Sequence, residues 1–303
     1  MSELAISISN VSKHFGAKRA VDQVSFDVIA GQCYGLIGPN GAGKTTTFSM
    51  MCGYLFPTAG QIRVMGADPS VPGALKKIVG VLPQDAILPP TWPVGALLTY
   101  LASLTGLPNP ESEAKSALER VQLPETWGLL ANQLSHGMAK RVSMAQALMG
   151  SPPVILLDEP TAGLDPKIAA TVRGIIRDLK GKHTVVVSSH NLQELEELCD
   201  ASAILDKGRL VSAATMAEMT SQTAEFRVQI AKGTVPLAEV KALTGCRDAK
   251  LEANNVLMVN FDGMAVQPEE IITSVVALLA AKNCLILGVW RGKKLEERVL
   301  QLT

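Results

Sequence analysis

Cysteine is scarce and scattered. Its five positions, Cys33, Cys52, Cys199, Cys246 and Cys284, are odd in number and never spaced as CxxC. That argues against a disulfide framework or a thiolate zinc site and predicts reduced thiols. An excess of either charge is also missing, with 28 basic residues against 28 acidic ones. No broad field then draws the chain to nucleic acid or anionic lipid, so no nucleic-acid partner is expected and recognition must be local. A membrane-spanning run is absent too. The nearest approach, residues 272–290, is interrupted by Lys282 and Asn283 and reads as an amphipathic helix from about Pro268 to Ala281, then a strand. Glu269 and Glu270 in the first turn of that helix suit its macrodipole. Met1 to Asn10 alternates like a strand without a basic n-region, which predicts no signal peptide and a cytosolic chain.

What is present is enough material for two units. With 303 residues, 47% of them hydrophobic, the chain can build one large α/β domain and a smaller appendage. Residues 4–9 and 21–29 read as strands around a turn at Phe15-Gly16, and residues 33–37 as a buried strand that ends at Gly38. A glycine-rich loop then opens a helix reaching about Gly53. From Val81 to Gly150 apolar residues recur at helical spacing, in VGALLTYLASL, SEAKSALERVQL and MAKRVSMAQALM, which predicts a helical insert. VILLD at 154–158 and TVVVSS at 184–189 are the continuous apolar runs of strands covered on both faces, and a helix from Pro166 to Lys180 between them makes a βαβ unit. After about Met219 the pattern becomes EFRVQIA, helix, NNVLMVNF, helix, CLILGVW and a last helix, a small α+β domain.

Two motifs carry chemistry by themselves. Gly38 to Thr45, GPNGAGKT, matches GxxxxGK[ST] between a strand and a helix, the context of a phosphate-binding P-loop. Its glycines let backbone N–H groups approach phosphate oxygens, Lys44 adds charge at the β- and γ-phosphates, and the Thr45 hydroxyl suits Mg²⁺. Asn40, Gly41, Gly43, Lys44, Thr45 and Thr46 are thus assigned to the nucleotide. Asp158 ends a buried strand, where ligands of α/β sheets collect, and would hold Mg²⁺. Glu159 follows it, placed to orient and deprotonate an attacking water.

The order and spacing of these motifs from Phe15 to His190 resemble the ATPase family of ABC transporters. The resemblance implies an α/β P-loop NTPase core with a helical subdomain, here residues 1–220 with the insert at about 85–150; residues 221–303 are left as the small α+β domain read from their pattern. It implies ATP and Mg²⁺ as ligands and ATP hydrolysis as the activity. By that similarity Phe15 would stack on adenine, Gln84 would sense Mg²⁺ and a permease, and His190 would meet the γ-phosphate as a catalytic switch beside Glu159 and Lys44. Gly163-Leu164-Asp165 resembles the loop that crosses to a partner's site.

Leu134-Ser135-His136-Gly137-Met138 is similar to the family signature LSGGQ, with Ser135 and Gly137 retained and His136 and Met138 substituted. Ser135 can still cap the helix starting near His136, so its N–H groups can face a phosphate. In the family that phosphate belongs to a second copy, so a catalytic dimer is expected. His136 could add pH dependence to closure.

The Ser-x-Gly-Met form and the terminal Lys294 to Thr303 helix resemble ATPases of exporters for drugs, antibiotics or surface polymers. The segment after Gln84 carries Gly95 and Ala96 where such proteins often have an acid, and Trp92 there is a candidate docking anchor. An integral membrane permease, a second ATPase copy and a position on the inner face of the cell membrane complete the expectation. A soluble ABC-type factor acting without a permease, on ribosomes or DNA, is the alternative. Such relatives usually carry two cassettes in one chain or a long coiled-coil insert, and neither is seen here.

Overall fold

The computed structural model describes residues 3–221, 225–263 and 265–291. They divide into two compact units, one ending at Thr215 and the next beginning at Met216.

The first unit starts with the hairpin β1 (Leu4–Phe15) and β2 (Lys18–Ile29), then β3 (Cys33–Ile37), helix α1 (Lys44–Met51) and β4 (Ala59–Val64). Next come β5 (Val79–Leu82), three helices α2 (Val94–Thr105), α3 (Pro110–Arg120) and α4 (His136–Leu148), and β6 (Val154–Asp158). It closes with α5 (Pro166–Leu179), β7 (Thr184–Ser188), α6 (Leu192–Leu198), β8 (Ala201–Asp206) and β9 (Arg209–Thr215). Strands β2-β1-β4 form an antiparallel sheet, while β5-β6-β7-β3-β8-β9 form a second sheet, parallel except for the β8–β9 pair.

Burial explains the strand sequences. Every residue of β3, β6 and β7 is buried, as continuous apolar strands require. Ile6, Ile8 and Phe26 of the antiparallel sheet, Phe48 and Met51 of α1, and Leu36, Leu156 and Val186 of the parallel sheet share one hydrophobic cluster. Each such side chain contributes about 1.5–3 kcal/mol by leaving water, so the P-loop helix is fixed between two sheets.

The structure departs from the sequence pattern at several short elements. Strand β5 lies just where the helical periodicity begins, and the helices start at Val94. Four residues are too few to show a period, and β5 becomes a strand by pairing with β6. Strand β4 has three exposed residues, and β8 and β9 form a hairpin around Lys207-Gly208; neither stands out as an apolar run. Gly80 of β5 packs against α4, where an added Cβ would overlap the carbonyl oxygen of Ala147. Gly95 lies against the ring of Trp127, with a built Cβ 2.5 Å from its Cδ2, so the acid missing at this position would collide with a packed aromatic.

The second unit holds α7 (Met216–Ser221), β10 (Glu225–Lys232), α8 (Leu237–Lys241), β11 (Cys246–Glu252), β12 (Val256–Phe261), α9 (Pro268–Ala281) and β13 (Leu285–Arg291). Its antiparallel sheet has the order β11-β12-β10-β13. Phe226, Val228, Leu257 and Val259 of the sheet pack with Ile271, Val275 and Leu279, which recur at helical spacing along α9. Strand β11 was not evident in the sequence because CRDAKLE is mostly polar and buries Ala249 alone. The helix expected at Lys294 to Thr303 lies outside the described residues.

The five cysteines are free thiols, four of them buried. Among the described residues no helix is long and apolar enough to cross a membrane.

The Gly80 contact makes a prediction. Gly80→Ala forces β5 and α4 apart and should lower stability by about 1–3 kcal/mol. Denaturant unfolding of the full chain reads this directly, and an unchanged midpoint would show that the two backbones can separate at no cost.

Candidate active site

The strand order brings the chemical residues together. In the sequence β6-β7-β3 across the sheet, Asp158 is opposite Ser188 and Ser188 is opposite Leu36, so three neighbouring strands release their loops at one edge. Those loops are 38–43, the residues after Asp158, and Ser189-His190. Carboxyl ends of parallel strands are where α/β sheets bind ligands.

The P-loop is held by close backbone approaches. A Cβ on Gly38 would overlap the Leu205 carbonyl oxygen, and one on Gly43 would sit 2.7 Å from the Ala20 oxygen. Gly43 is also left-handed, with φ 99°, as the N-cap of α1. No side chain caps α1 and no acid occupies its first turn, so its positive end is free for an anion. Asn40, Gly41 and Thr45 are exposed, and Thr46 is half-buried. Lys44 is 7% exposed, and its ammonium donates to the carbonyl oxygens of Gly38 at 2.7 Å and Pro39 at 3.2 Å. Burial pushes the Lys44 ammonium down from its ordinary range, and the charges of Glu159 and Asp158 oppose the shift.

Asp158 is 3% exposed and accepts a hydrogen bond from the Ser188 hydroxyl. Burial raises its carboxyl above the usual carboxylate range, aided by Glu159 and countered by the Ser188 bond and by Lys44 and Lys140. Glu159 adopts φ 50°, an unusual backbone state for a side-chain-bearing residue. Its N–H is anchored on Ser188, 3.2 Å from the carbonyl oxygen and 3.0 Å from Oγ. The turn aims its carboxylate at His190, whose Nδ1 lies 2.8 Å from Glu159 Oε2. The Glu159 side chain is 10% exposed and that of His190 68%, so the pair has a buried acid and a solvent-facing ring.

Phe15 ends β1 at the hairpin tip, half exposed, with the Lys13 ammonium 5.3 Å from its ring centroid. An open aromatic face of this kind can stack on a planar base. Gln84 is exposed, and its backbone oxygen accepts from Lys140 at 2.8 Å. Lys140 was not singled out in the sequence; it is 8% exposed, and its ammonium is lowered by burial against the fields of Asp158, Asp85 and Glu159.

Ser135 caps α4 as the sequence suggests, accepting from the Met138 N–H at 3.2 Å, and no acid occupies the first turn. Gly137 faces Ile168 of α5, and Gly163 lies beside the exposed ring of His136. Asp165 caps α5, with Oδ1 accepting from the N–H groups of Lys167 and Ile168 at 3.1 and 3.0 Å. Trp92 is 40% exposed, its ring tilted against Tyr100 at 5.5 Å. Ser188 is a further site residue that sequence reasoning passed over; its signal was a hydroxyl closing an apolar strand just before His190.

Comparisons with known proteins agree with this geometry. The family model described as ABC transporter matches residues 21–162. The Nod factor export ATP-binding protein I of Burkholderia lata is 39% identical over 212 residues, covering 68% of this chain and 69% of the relative. The linearmycin resistance ATP-binding protein LnrL of Bacillus subtilis is 30% identical over 304 residues, 98% of both chains. Among solved structures, a dimeric bacterial ABC transporter cassette superposes with a TM-score of 0.64 at 24% identity, covering 70% of this chain and 98% of that one. The P-loop, the acid-ended strand and the relatives matched over most or nearly all of their length agree, and the chain belongs to the ABC transporter family as an ATP-binding ATPase subunit.

Proposed function

We propose that two copies of this chain enclose two ATP molecules at the cytoplasmic face of an integral membrane permease, and that hydrolysis powers export. The carrying observation is the Glu159–His190 pair, at 2.8 Å, beside the P-loop lysine and Asp158 on adjacent strands. In this reading the cassette spans residues 1–220 with its helical subdomain at about 85–150, and residues 221–303 form an accessory domain.

Each residue then has a role. Phe15 stacks on adenine. Backbone N–H groups of 40–46 and the Lys44 ammonium hold the β- and γ-phosphates, exchanging carbonyl partners for phosphate oxygens. Thr45, Gln84 and Asp158 offer oxygen donors, the hard ligand type that fits Mg²⁺; when bound, the ion neutralises charge on the phosphates. Glu159 orients the attacking water and takes its proton, while His190 fixes the Glu159 carboxylate and contacts the γ-phosphate.

Ser135 and the N–H groups of Gly137 and its neighbours meet the γ-phosphate held by the partner copy, and Asp165 lies on the segment that faces that copy. The exposed Ser135 and the acid-free first turn of α4 support this reading. Export is supported by the relatives, one named for Nod factor export and one for linearmycin resistance.

Two outcomes test the reading. Glu159→Gln should bind ATP, form a stable ATP-dependent dimer by light scattering, and lose about 10²–10⁴-fold in turnover; wild-type turnover would remove Glu159 from the mechanism. The second concerns pH. Burial raises the Asp158 carboxyl above 3.8 in the folded chain, so the folded state binds this proton more tightly than the unfolded state. The resulting stability is present at low pH and is lost as pH rises through the raised range. Wild type should therefore lose thermal stability relative to Asp158→Asn as pH rises above 3.8. Parallel unfolding curves for the two proteins would contradict the assigned cause.

A further inference from the structure

Glu194 lies in α6, four residues beyond His190, and takes no part in the chemistry above. It is 3% exposed, and a carboxyl so deeply buried is costly unless hydrogen-bonded. One oxygen, Oε2, accepts from two hydroxyls, Thr161 Oγ1 at 2.7 Å and Ser189 Oγ at 3.1 Å. The other oxygen, Oε1, is buried without a hydrogen-bond partner. Helix α6 does not need this carboxyl to start, because Asn191 caps it by accepting the Glu194 N–H at 3.2 Å. An apolar side chain would fill the position without leaving an oxygen unmet.

The two hydroxyls come from different functional segments. Thr161 stands between Glu159 and Asp165, and Leu164 N–H bonds back to its carbonyl oxygen at 3.2 Å. Ser189 directly precedes His190, and its Oγ also accepts the Asn191 N–H at 3.0 Å, so the histidine is braced on both sides. A single buried oxygen thus ties the segment leading to Asp165 to the segment carrying His190.

We infer that Glu194 is a positioning residue that makes the placement of His190 depend on the placement of the Thr161–Asp165 segment, so that hydrolysis in one chain depends on the seating of its partner. This rests on the two-copy reading above. When the partner copy fixes the Asp165 segment, Thr161 holds Glu194, Glu194 holds Ser189, and the Glu159–His190 pair is held in its productive geometry.

The test uses the full chain with Thr161→Val, Glu194→Ala and Glu194→Gln, measuring kcat and KM for ATP with Mg²⁺, and the ATP dependence of dimer formation in a Glu159→Gln background. Thr161→Val is close in shape to the native residue and removes one hydroxyl. Thr161→Val and Glu194→Ala should each lower kcat about tenfold or more, the scale of one or two lost hydrogen bonds, with KM changed less than about threefold. Glu194→Gln keeps a carbonyl oxygen for both hydroxyls and should recover most of the rate. Glu159→Gln carrying Thr161→Val should need more ATP to dimerise than Glu159→Gln alone.

A wild-type kcat in Thr161→Val overturns the inference, as does a Glu194→Gln variant as impaired as Glu194→Ala. A melting-temperature loss without the kcat effect also overturns it, leaving a purely structural carboxyl. If Glu159→Gln alone fails to dimerise with ATP, the two-copy reading falls and takes this inference with it. If it dimerises and Thr161→Val turns over normally, the Glu194 connection alone falls.

Discussion

Hydrogen bonding between β6, β7 and β3 sets where the buried groups of the candidate site stand. Because the three strands run parallel and in register, Asp158, Ser188 and the start of the P-loop emerge on one edge of the sheet. A shift by one residue would turn Asp158 to the opposite face and break its bond with Ser188. Complete burial of the strands protects the register, since any slip would place polar side chains among Leu36, Leu156 and Val186. The apolar core and the site are therefore one structural arrangement.

At that edge the protein gathers charge in a place that disfavours it. Lys44, Lys140, Asp158 and Glu159 are all buried. Removal from water lowers both lysines and raises Asp158; the charges of Asp158 and Glu159 oppose the lysine shifts, and the two lysines oppose that of Asp158, to which Glu159 adds. Buried ion clusters are weak sources of stability, because desolvation offsets much of the attraction. Their concentration here fits a site organised to receive a polyphosphate rather than to strengthen the fold. Lys140 adds a structural consequence: it belongs to the helix capped by Ser135 yet bonds to the backbone of Gln84. The segment after β5 and the helix that presents the signature cannot move independently while that bond lasts.

Small groups perform the remaining assembly. Glycines stand where backbones approach most closely, at Gly38 beside Leu205, Gly43 beside Ala20 and Gly80 beside Ala147. Hydroxyls join side chains and loops beyond the backbone ladder, with Ser188 serving Asp158 and Glu159, and Ser189 and Thr161 meeting on Glu194. Neither class has a periodicity. Outside the glycine-rich loop both are set by contacts with distant segments, and so Gly80, Ser188 and Thr161 are little visible before the chain is folded.

The sequence by itself determined the phosphate-binding loop, the acid-ended strand, the capped signature helix and the amphipathic α9, because each depends on neighbours within a few residues. Spacing and local chemistry are complete there: GPNGAGKT, VILLD followed by Glu159, Ser135 three residues before Met138 N–H, and apolar Ile271, Val275 and Leu279. Only the tertiary structure decided the strand order β6-β7-β3, the strand identity of Val79–Leu82, the polar strand Cys246–Glu252, and the parts played by Ser188, Lys140, Thr161 and Glu194. These rest on distant partners, 56 residues apart in the chain for Lys140 and Gln84 and 152 (188 − 36) for the paired Leu36 and Ser188. Strand pairing and side-chain convergence are long-range contacts, chosen by the packing of the whole core, and no local pattern of residue types records which distant partner wins.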